Sequence, residues 1–392
     1  MKHGAPLERL ALFTDTWVPQ VNGVARTLDR LVTECARRGV ETRVFTVTEE
    51  DPTPVAEHVE RWNARPFWAY PQLRMASPSP SRAREALLRF RPSLVHVATP
   101  FGLGLSGRQA ARALQLPLVS SYHTHFTAYL AHYSLQGLDA VSWPFLRWFH
   151  NGGTRTFAPT DDVVRQLEAQ GFKGVRRWGR GIDARRFAPD HRSDALRTRL
   201  GCTPDTMLVL YVGRLAPEKG VDVAMRAMIQ LLRAEPQRIR FALVGDGPAE
   251  DTLRNGAVDG VHFLGRLEGQ ALAEAYASSD VFLFPSVTET FGNVVLEAMA
   301  SGLAVISHHA GATAEFANER TALPVNVQSA DALADAVRTL LDDPTRRRAI
   351  AEAGRAEAAT RTWERIWDDL FADYDAVLAP RAPQRTATAR VA

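Results

Sequence analysis

The chain has 392 residues, 45% hydrophobic and 23% charged, the balance of a globular protein with enough material for two cores. Two distant cysteines, Cys35 and Cys202, offer neither a disulfide framework nor a metal-ligand spacing, no apolar run nears the roughly 20 residues of a membrane span, and the start lacks the build of a signal peptide, so a cytoplasmic protein is expected. The net charge of +3 is unevenly spread, from +10 over residues 1–200 to −7 over residues 201–392, and a basic first half suits an anionic membrane surface, a phosphorylated acceptor or nucleic acid, although an arginine-rich coding bias accounts for it equally.

In chain order, Leu10–Thr14 reads as a strand, followed by a loop bearing proline and glycine up to Gly23. Val24–Arg38 reads as a helix, with Leu28, Leu31, Val32 and Cys35 on one face and Gly39 as its stop. Thr42–Val47, Leu94–Ala98 and Pro117–Ser121 are further strands, with a helix around Arg108–Leu114. Strand–helix alternation predicts a parallel, doubly wound sheet. Residues 179–195, rich in Gly, Asp, Pro and Arg, read as a linker. A second series then begins, with strands at Leu208–Val212, Arg240–Val244, Val261–Leu264, Val281–Phe284 and Ala304–Ser307. The apolar stripe Trp363, Ile366, Trp367, Leu370, Phe371, Tyr374, Val377 and Leu378 predicts a final amphipathic helix that must bury against something. The boundaries expected are a first domain over 1–192, a second over 193–361, the helix over 362–379 and a disordered tail over 380–392.

The most informative segment is Thr288-Glu289-Thr290-Phe291-Gly292-Asn293-Val294-Val295-Leu296-Glu297. A strand gives way to a polar loop carrying Glu289, then to a helix starting near Gly292, whose unpaired N–H groups suit a diphosphate. Glu297 lies inside an otherwise apolar helix, where a buried carboxylate needs partners; vicinal sugar hydroxyls qualify. In Val212-Gly213-Arg214-Leu215-Ala216-Pro217-Glu218-Lys219-Gly220, Arg214 and Lys219 are placed to converge on one phosphate. Only three of the 47 basic residues are lysine, which singles out Lys219. Gly245-Asp246-Gly247 is a third glycine turn on the same sheet edge, where ligands of open α/β sheets bind.

In the first half, Gly23 at a helix start would let the backbone approach a phosphate. His123, at the end of a strand beside Thr124 and His125, is a candidate for a sugar hydroxyl. Gly102-Leu103-Gly104-Leu105-Ser106-Gly107 fits the dinucleotide fingerprint, but the next strand ends in Tyr122-His123 without the acid that would hold a ribose. An NAD-dependent oxidoreductase built on that loop is therefore the weaker alternative, and a nucleic-acid-binding protein lacks any recognition motif. Asp373-Tyr374-Asp375 imitates a metal-binding acid pair, but falls on the final helix, where a solvated face explains it; no metal is expected. Trp143, Phe145, Trp148 and Phe149 are expected mainly in the core, with a lipid-facing role as the alternative.

With these residues in view, the chain resembles family 4 of the retaining glycosyltransferases, of GT-B architecture: two Rossmann-like domains, a deep cleft, and a C-terminal helix that crosses back. The resemblance rests on TETFGNVVLEAMASG, GRLAPEKG, VGDGP, the opening FTDTWVPQVNGVARTL, SYHTHF and WGRGIDARRFAP. The opening and SYHTHF are most similar to bacterial glycolipid mannosyltransferases and sulfolipid synthases. The resemblance implies a nucleotide-diphosphate sugar donor, GDP-mannose or a UDP-hexose, a lipid or glycan acceptor, and neither metal nor NAD. It implies that Arg214 and Lys219 neutralise the departing diphosphate, that Glu289 and His123 contact the hexose, and that Glu297 holds the ribose. Backbone groups of Phe291, Gly292, Asn293 and Val294 would bind hexose and diphosphate, Gly23 would approach the β-phosphate, and the backbone near Arg266 would meet the base. The departing phosphate oxygen is expected to take the acceptor's proton on the same face, giving retention. Two departures stand near the donor sugar: Ala312, where relatives carry a second glycine, and the pair His308-His309.

Overall fold

A computed structural model describes residues 7–20, 23–48, 56–67, 70–123, 139–287, 289, 291–308 and 310–379. The chain begins with β1 (Arg9–Phe13), α1 (Gly23–Arg37), β2 (Glu41–Val47) and β3 (Val59–Trp62), then the hairpin β4 (Ala64–Phe67) and β5 (Tyr70–Ala76). It continues through α2 (Pro80–Phe90), β6 (Leu94–Val97), α3 (Gly102–Ala113), β7 (Leu118–Ser121), α4 (Asp139–His150), β8 (Arg155–Ala158), α5 (Asp161–Ala169) and β9 (Val175–Arg177). Seven of these strands form a parallel sheet in the order β3-β2-β1-β6-β7-β8-β9.

After α6 (Asp194–Arg199), a second series follows: β10 (Met207–Val212), α7 (Val221–Ala234), β11 (Ile239–Val244), α8 (Glu250–Asn255), β12 (Val261–Phe263), α9 (Gly269–Ala277), β13 (Val281–Leu283), α10 (Asn293–Ala300), β14 (Ala304–His308) and β15 (Leu323–Val325). Its strands order as β12-β11-β10-β13-β14-β15, again parallel. Every residue of β10, Met-Leu-Val-Leu-Tyr-Val, is buried, as a strand covered by helices on both faces requires. In each sheet the chain winds outward one way from the first strand and then returns to wind the other way. The two reversal points fall between β1 and β6 and between β10 and β13, and crevices open there beyond the strand ends.

Helices α11 (Ala330–Asp342) and α12 (Pro344–Ala359) complete the second lobe, and α13 (Trp363–Leu378) returns to the first. Its buried residues Trp367, Leu370, Phe371 and Tyr374 share one core with Leu10, Leu12, Trp17, Leu28 and Trp178. The two chain crossings between lobes run side by side. Ile182 N–H donates to Arg361 at 2.9 Å, and a Cβ on Gly181 would lie 2.6 Å from the Trp363 nitrogen, so only glycine admits that approach. Of the metal-like acid pair, Asp373 lies 3.8 Å from Arg155 and Asp375 is exposed, while Tyr374 between them is buried in the core. The tail from 380 lies outside the described residues.

The edge strands β3, β9 and β15 and the interior strand β8 were not read from the sequence, whereas the edge strand β12 was. β15 contains Pro324, which a ladder tolerates at an edge, and β9 is Val-Arg-Arg, a charged edge that resists further pairing. Neither carries the apolar run that marks a central strand.

Candidate active site between the lobes

The loops singled out in the sequence converge at the strand ends of the second sheet. The Gly213–Gly220 loop and the Gly245–Gly247 turn are stitched together: Gly213 N–H donates to Val244 O (3.0 Å), Leu215 N–H to Asp246 O (2.7 Å), and Ala249 N–H to Leu215 O (2.9 Å). Gly245 has φ 133°, and a Cβ there would sit 1.9 Å from Gly213 O. These glycines are therefore needed for two backbones to touch. The Asp246 side chain is exposed, and its part in the stitching is played by its carbonyl. Gly220, with φ 66°, closes the Pro217–Lys219 turn directly against Pro285 O, bringing Lys219 to the end of β13.

There Lys219 Nζ meets Glu289 Oε1 at 2.5 Å, with both side chains about four-fifths buried. The two residues thus form an ion pair, and in this state each neutralises the other. Arg214 is half-buried on the same loop, and its carbonyl accepts from Tyr211 Oη at 2.8 Å. Gly292, at φ 87°, caps α10, with a virtual Cβ 2.5 Å from Thr313. Phe291 is buried against Phe316, ring centroids 5.2 Å apart, while Asn293 and Val294 are half-buried in the first turn. Thr288 and Thr290 lie outside the described residues.

The first lobe closes over this edge. A Cβ on Gly23 would lie 3.4 Å from Asn293 Nδ2, so the starts of α1 and α10 face each other across the cleft. Glu297 accepts a hydrogen bond from Tyr276 Oη at 3.0 Å. Burial raises its pKa above the ordinary carboxylate range, opposed by the Tyr276 hydroxyl and by the fields of Arg26, Arg186 and Arg30. Arg26 also bridges the lobes, 3.3 Å from Glu268, which in turn lies 3.0 Å from Arg266. The sequence reading missed Tyr276, Arg26, Arg30 and Arg186. Arg26 and Arg30 lie four apart on α1, a spacing that puts both on one helix face.

His123 is buried at the end of β7. Its Nε2 lies 2.7 Å from Ser121 Oγ and its Nδ1 3.0 Å from Arg180. The ring nitrogens expected to greet a sugar hydroxyl are thus already engaged by the protein. Thr124 and His125 lie outside the described residues.

The remaining motifs resolve structurally. Virtual Cβ atoms on Gly102, Gly104 and Gly107 would fall 1.9 Å from Ala76 O, 1.6 Å from Thr99 O and 2.5 Å from the Phe13 ring. The glycines seat α3 against the sheet, and its N-terminus is filled by buried Asp15, which accepts from Leu103 N–H at 3.1 Å and Thr99 Oγ1 at 2.6 Å. A dinucleotide phosphate has no place there. Trp143 packs on Phe172 and Phe149 is buried, whereas Trp148 is half exposed beneath Arg108, 3.8 Å from its ring. Ala312 opens a short 3-10 turn in which the left-handed residue is Gly311, φ 86°, so a second glycine is not required. His308 Nδ1 lies 3.4 Å from Val325 O, and His309 is outside the described residues. Among the described residues no group of three or more His, Cys, Asp or Glu is placed to hold a metal, and no helix is long and apolar enough to cross a membrane.

Residues 21–186 match the model of Glycosyltransferase Family 4, and residues 206–343 match that of Glycosyl transferases group 1. A GDP-mannose-dependent alpha-mannosyltransferase of Mycobacterium tuberculosis is 35% identical over 96% of this chain and 98% of its own. The chain belongs to glycosyltransferase family 4. A sulfoquinovosyl transferase of Arabidopsis thaliana is 31% identical over 91% of this chain and 71% of its own. Among solved structures, a sucrose-phosphate synthase of Thermosynechococcus elongatus superposes with a TM-score of 0.76 at 24% identity, over 95% of this chain and 99% of that one. That likeness is of fold, and the fold is GT-B. This glycosyltransferase uses a nucleotide sugar, and nothing in its structure or relatives supports the oxidoreductase alternative.

Proposed function

We propose that this family 4 enzyme transfers a hexose, mannose or glucose, from a nucleoside-diphosphate sugar to a lipid or glycan acceptor with retention and without a metal. The carrying observation is the convergence of Lys219, the Arg214 loop and the N-terminus of α10 at one strand edge, closed by Gly23 across the cleft. Cleaving the sugar–phosphate bond builds negative charge on the diphosphate and positive charge on the anomeric carbon. Fixed cations and amide dipoles stabilise the first as it grows, which is electrostatic preorganisation. Glu289, released from Lys219 by the incoming diphosphate, would face the hexose. Glu297, with Tyr276 on one oxygen, is left to accept from the ribose hydroxyls.

Protonated acceptor oxygen needs a base, and the departing phosphate oxygen is the group that becomes one. Attack on the face it vacates gives retention. The donor favoured is GDP-mannose. The mannosyltransferase relative supports this, and so does Glu268 beside Arg266: guanine presents N1–H and N2–H donors, which a carboxylate accepts. The basic first half and exposed Trp148 support peripheral contact with an anionic membrane at its cytoplasmic face.

Thermal-shift titrations with GDP-mannose, UDP-glucose and UDP-galactose, each with excess EDTA, test the reading, because a ligand of the native state raises Tm by mass action. GDP-mannose is expected to raise Tm in EDTA, and the product is expected to carry an α linkage by NMR. A Tm response that needs a divalent cation, or a β-linked product, would overturn it.

A further inference from the structure

A buried hydrogen-bonded chain joins the linker between the lobes to the C-terminal helix, and His123 is its central member. Arg180 lies 3.0 Å from His123 Nδ1, His123 Nε2 is 2.7 Å from Ser121 Oγ, Ser121 Oγ is 2.9 Å from His96 Nε2, and His96 Nδ1 is 2.8 Å from Tyr374 Oη. All five side chains are more than nine-tenths buried.

The first link decides the second. A guanidinium only donates, so His123 Nδ1 accepts; a neutral imidazole with a bare Nδ1 carries its proton on Nε2 and donates it to Ser121. Arg180 is itself held by two carbonyls of the linker, Trp178 O at 2.7 Å and Gly179 O at 2.9 Å. The Trp178 ring stands edge-on to His123, centroids 5.4 Å apart. The linker's path therefore sets where the guanidinium points, and the guanidinium sets the ring.

We propose that Arg180 is a positioning residue for transfer: from the interlobe linker it fixes the tautomer and orientation of His123, leaving no imidazole lone pair to take the acceptor's proton. The inference rests on the glycosyl-transfer reading and sharpens it, since the leaving phosphate then has no competing base in His123. Among the described residues, the charged and titratable groups facing the ring include Arg180 from the linker, His96 from β6 and His150 from α4. Burial first, and then each of these groups, disfavours a second proton, so the ring is neutral well below the ordinary histidine range.

The test uses the full chain labelled with ¹⁵N-histidine. Long-range ¹H–¹⁵N correlation is expected to show His123 protonated at Nε2, bare at Nδ1, and unchanged from pH 5.5 to 8. In Arg180→Met, burial still keeps His123 neutral over that range, and the ring is expected to populate both tautomers. The variant's kcat should then fall about tenfold at every pH, because the ring no longer holds one orientation beside the sugar. The wild type should keep a flat profile, donor KM should move less than kcat, and Arg180→Lys should restore part of the loss. If Arg180→Met does not fold, Ser121→Ala removes the acceptor on the other nitrogen while Arg180 still holds Nδ1, so His123 should stay protonated at Nε2, and a mixture of tautomers there would overturn the proposal. A wild-type His123 protonated at Nδ1 or titrating between pH 5.5 and 8 would overturn the proposal, as would Arg180→Met with the wild-type tautomer and kcat. Absence of transfer with every donor would instead sink the functional reading, while the tautomer measurement still decides the role of Arg180.

Discussion

Glu289 and Lys219 are eight-tenths buried as a pair, and what a residue does in this cleft depends on which partner it holds. On the proposed reading, removing Lys219 takes away a cation that faces the departing diphosphate. Lys219→Ala is expected to lower kcat by about 10²–10³, the scale seen when one transition-state donor is lost, with a circular dichroism spectrum like the wild type's. Asp15 shows the opposite use of a buried carboxylate. Burial pushes its pKa up to about 6, against hydrogen bonds from Thr99 and Leu103 that pull it down. A carboxyl raised in the folded state lends stability at low pH and loses it as pH climbs from about 4 through about 6. Asp15→Asn should therefore gain roughly 2 kcal/mol on the wild type between pH 4 and pH 7, read by urea denaturation at both values. A constant difference would contradict it.

At the scale of elements, glycine-rich loops and one helix carry the argument. Gly245→Ala would force a methyl into Gly213 O at a φ that L-residues rarely adopt. It is expected to displace the Gly213–Gly220 loop, weakening nucleotide binding and lowering Tm together. Leu370, 1% exposed in the core shared by α13 and the first sheet, should cost about 2–5 kcal/mol when cut to alanine, measured by chemical denaturation. These elements were largely legible. The central strands β1, β2, β6, β7, β10, β11 and β13 announce themselves as apolar runs, and α13 as an eight-residue stripe. The hairpin β4–β5 and edge strands β3, β9 and β15 were not, because short, polar or proline-bearing segments take their structure from the neighbour they pair with. The pairing of Lys219 with Glu289 was equally hidden. It joins residues seventy apart through a turn whose closeness depends on Gly220 lying against Pro285.

The whole molecule is two parallel-sheet lobes joined by a double chain crossing and a few side-chain bridges. Glu315 of the second lobe accepts from Asp161 N–H at the start of α5 and pairs with Arg177 at 2.7 Å, while Arg26 reaches Glu268 at the other rim. The first lobe also buries His96 and His150, whose pKa values burial pushes down to about 3, and His123, pushed down by burial and Arg180. A histidine depressed on folding takes up protons on unfolding, so its contribution is present above pH 6.5 and lost as pH falls toward the folded value. Acid should therefore destabilise the first lobe from about pH 6.5 downward, a slope of up to roughly 4 kcal/mol per pH unit for three such groups, which Asp15 offsets only in part.

The central claim is that fixed cations at the junction of β10 and β13 carry the charge of the departing diphosphate. Single-turnover transfer from GDP-mannose in excess EDTA, comparing the wild type with Lys219→Ala at saturating donor, measures it most directly. The account predicts full turnover by the wild type in EDTA and a rate about a hundredfold or more lower for the variant. A variant that turns over at the wild-type rate would contradict it.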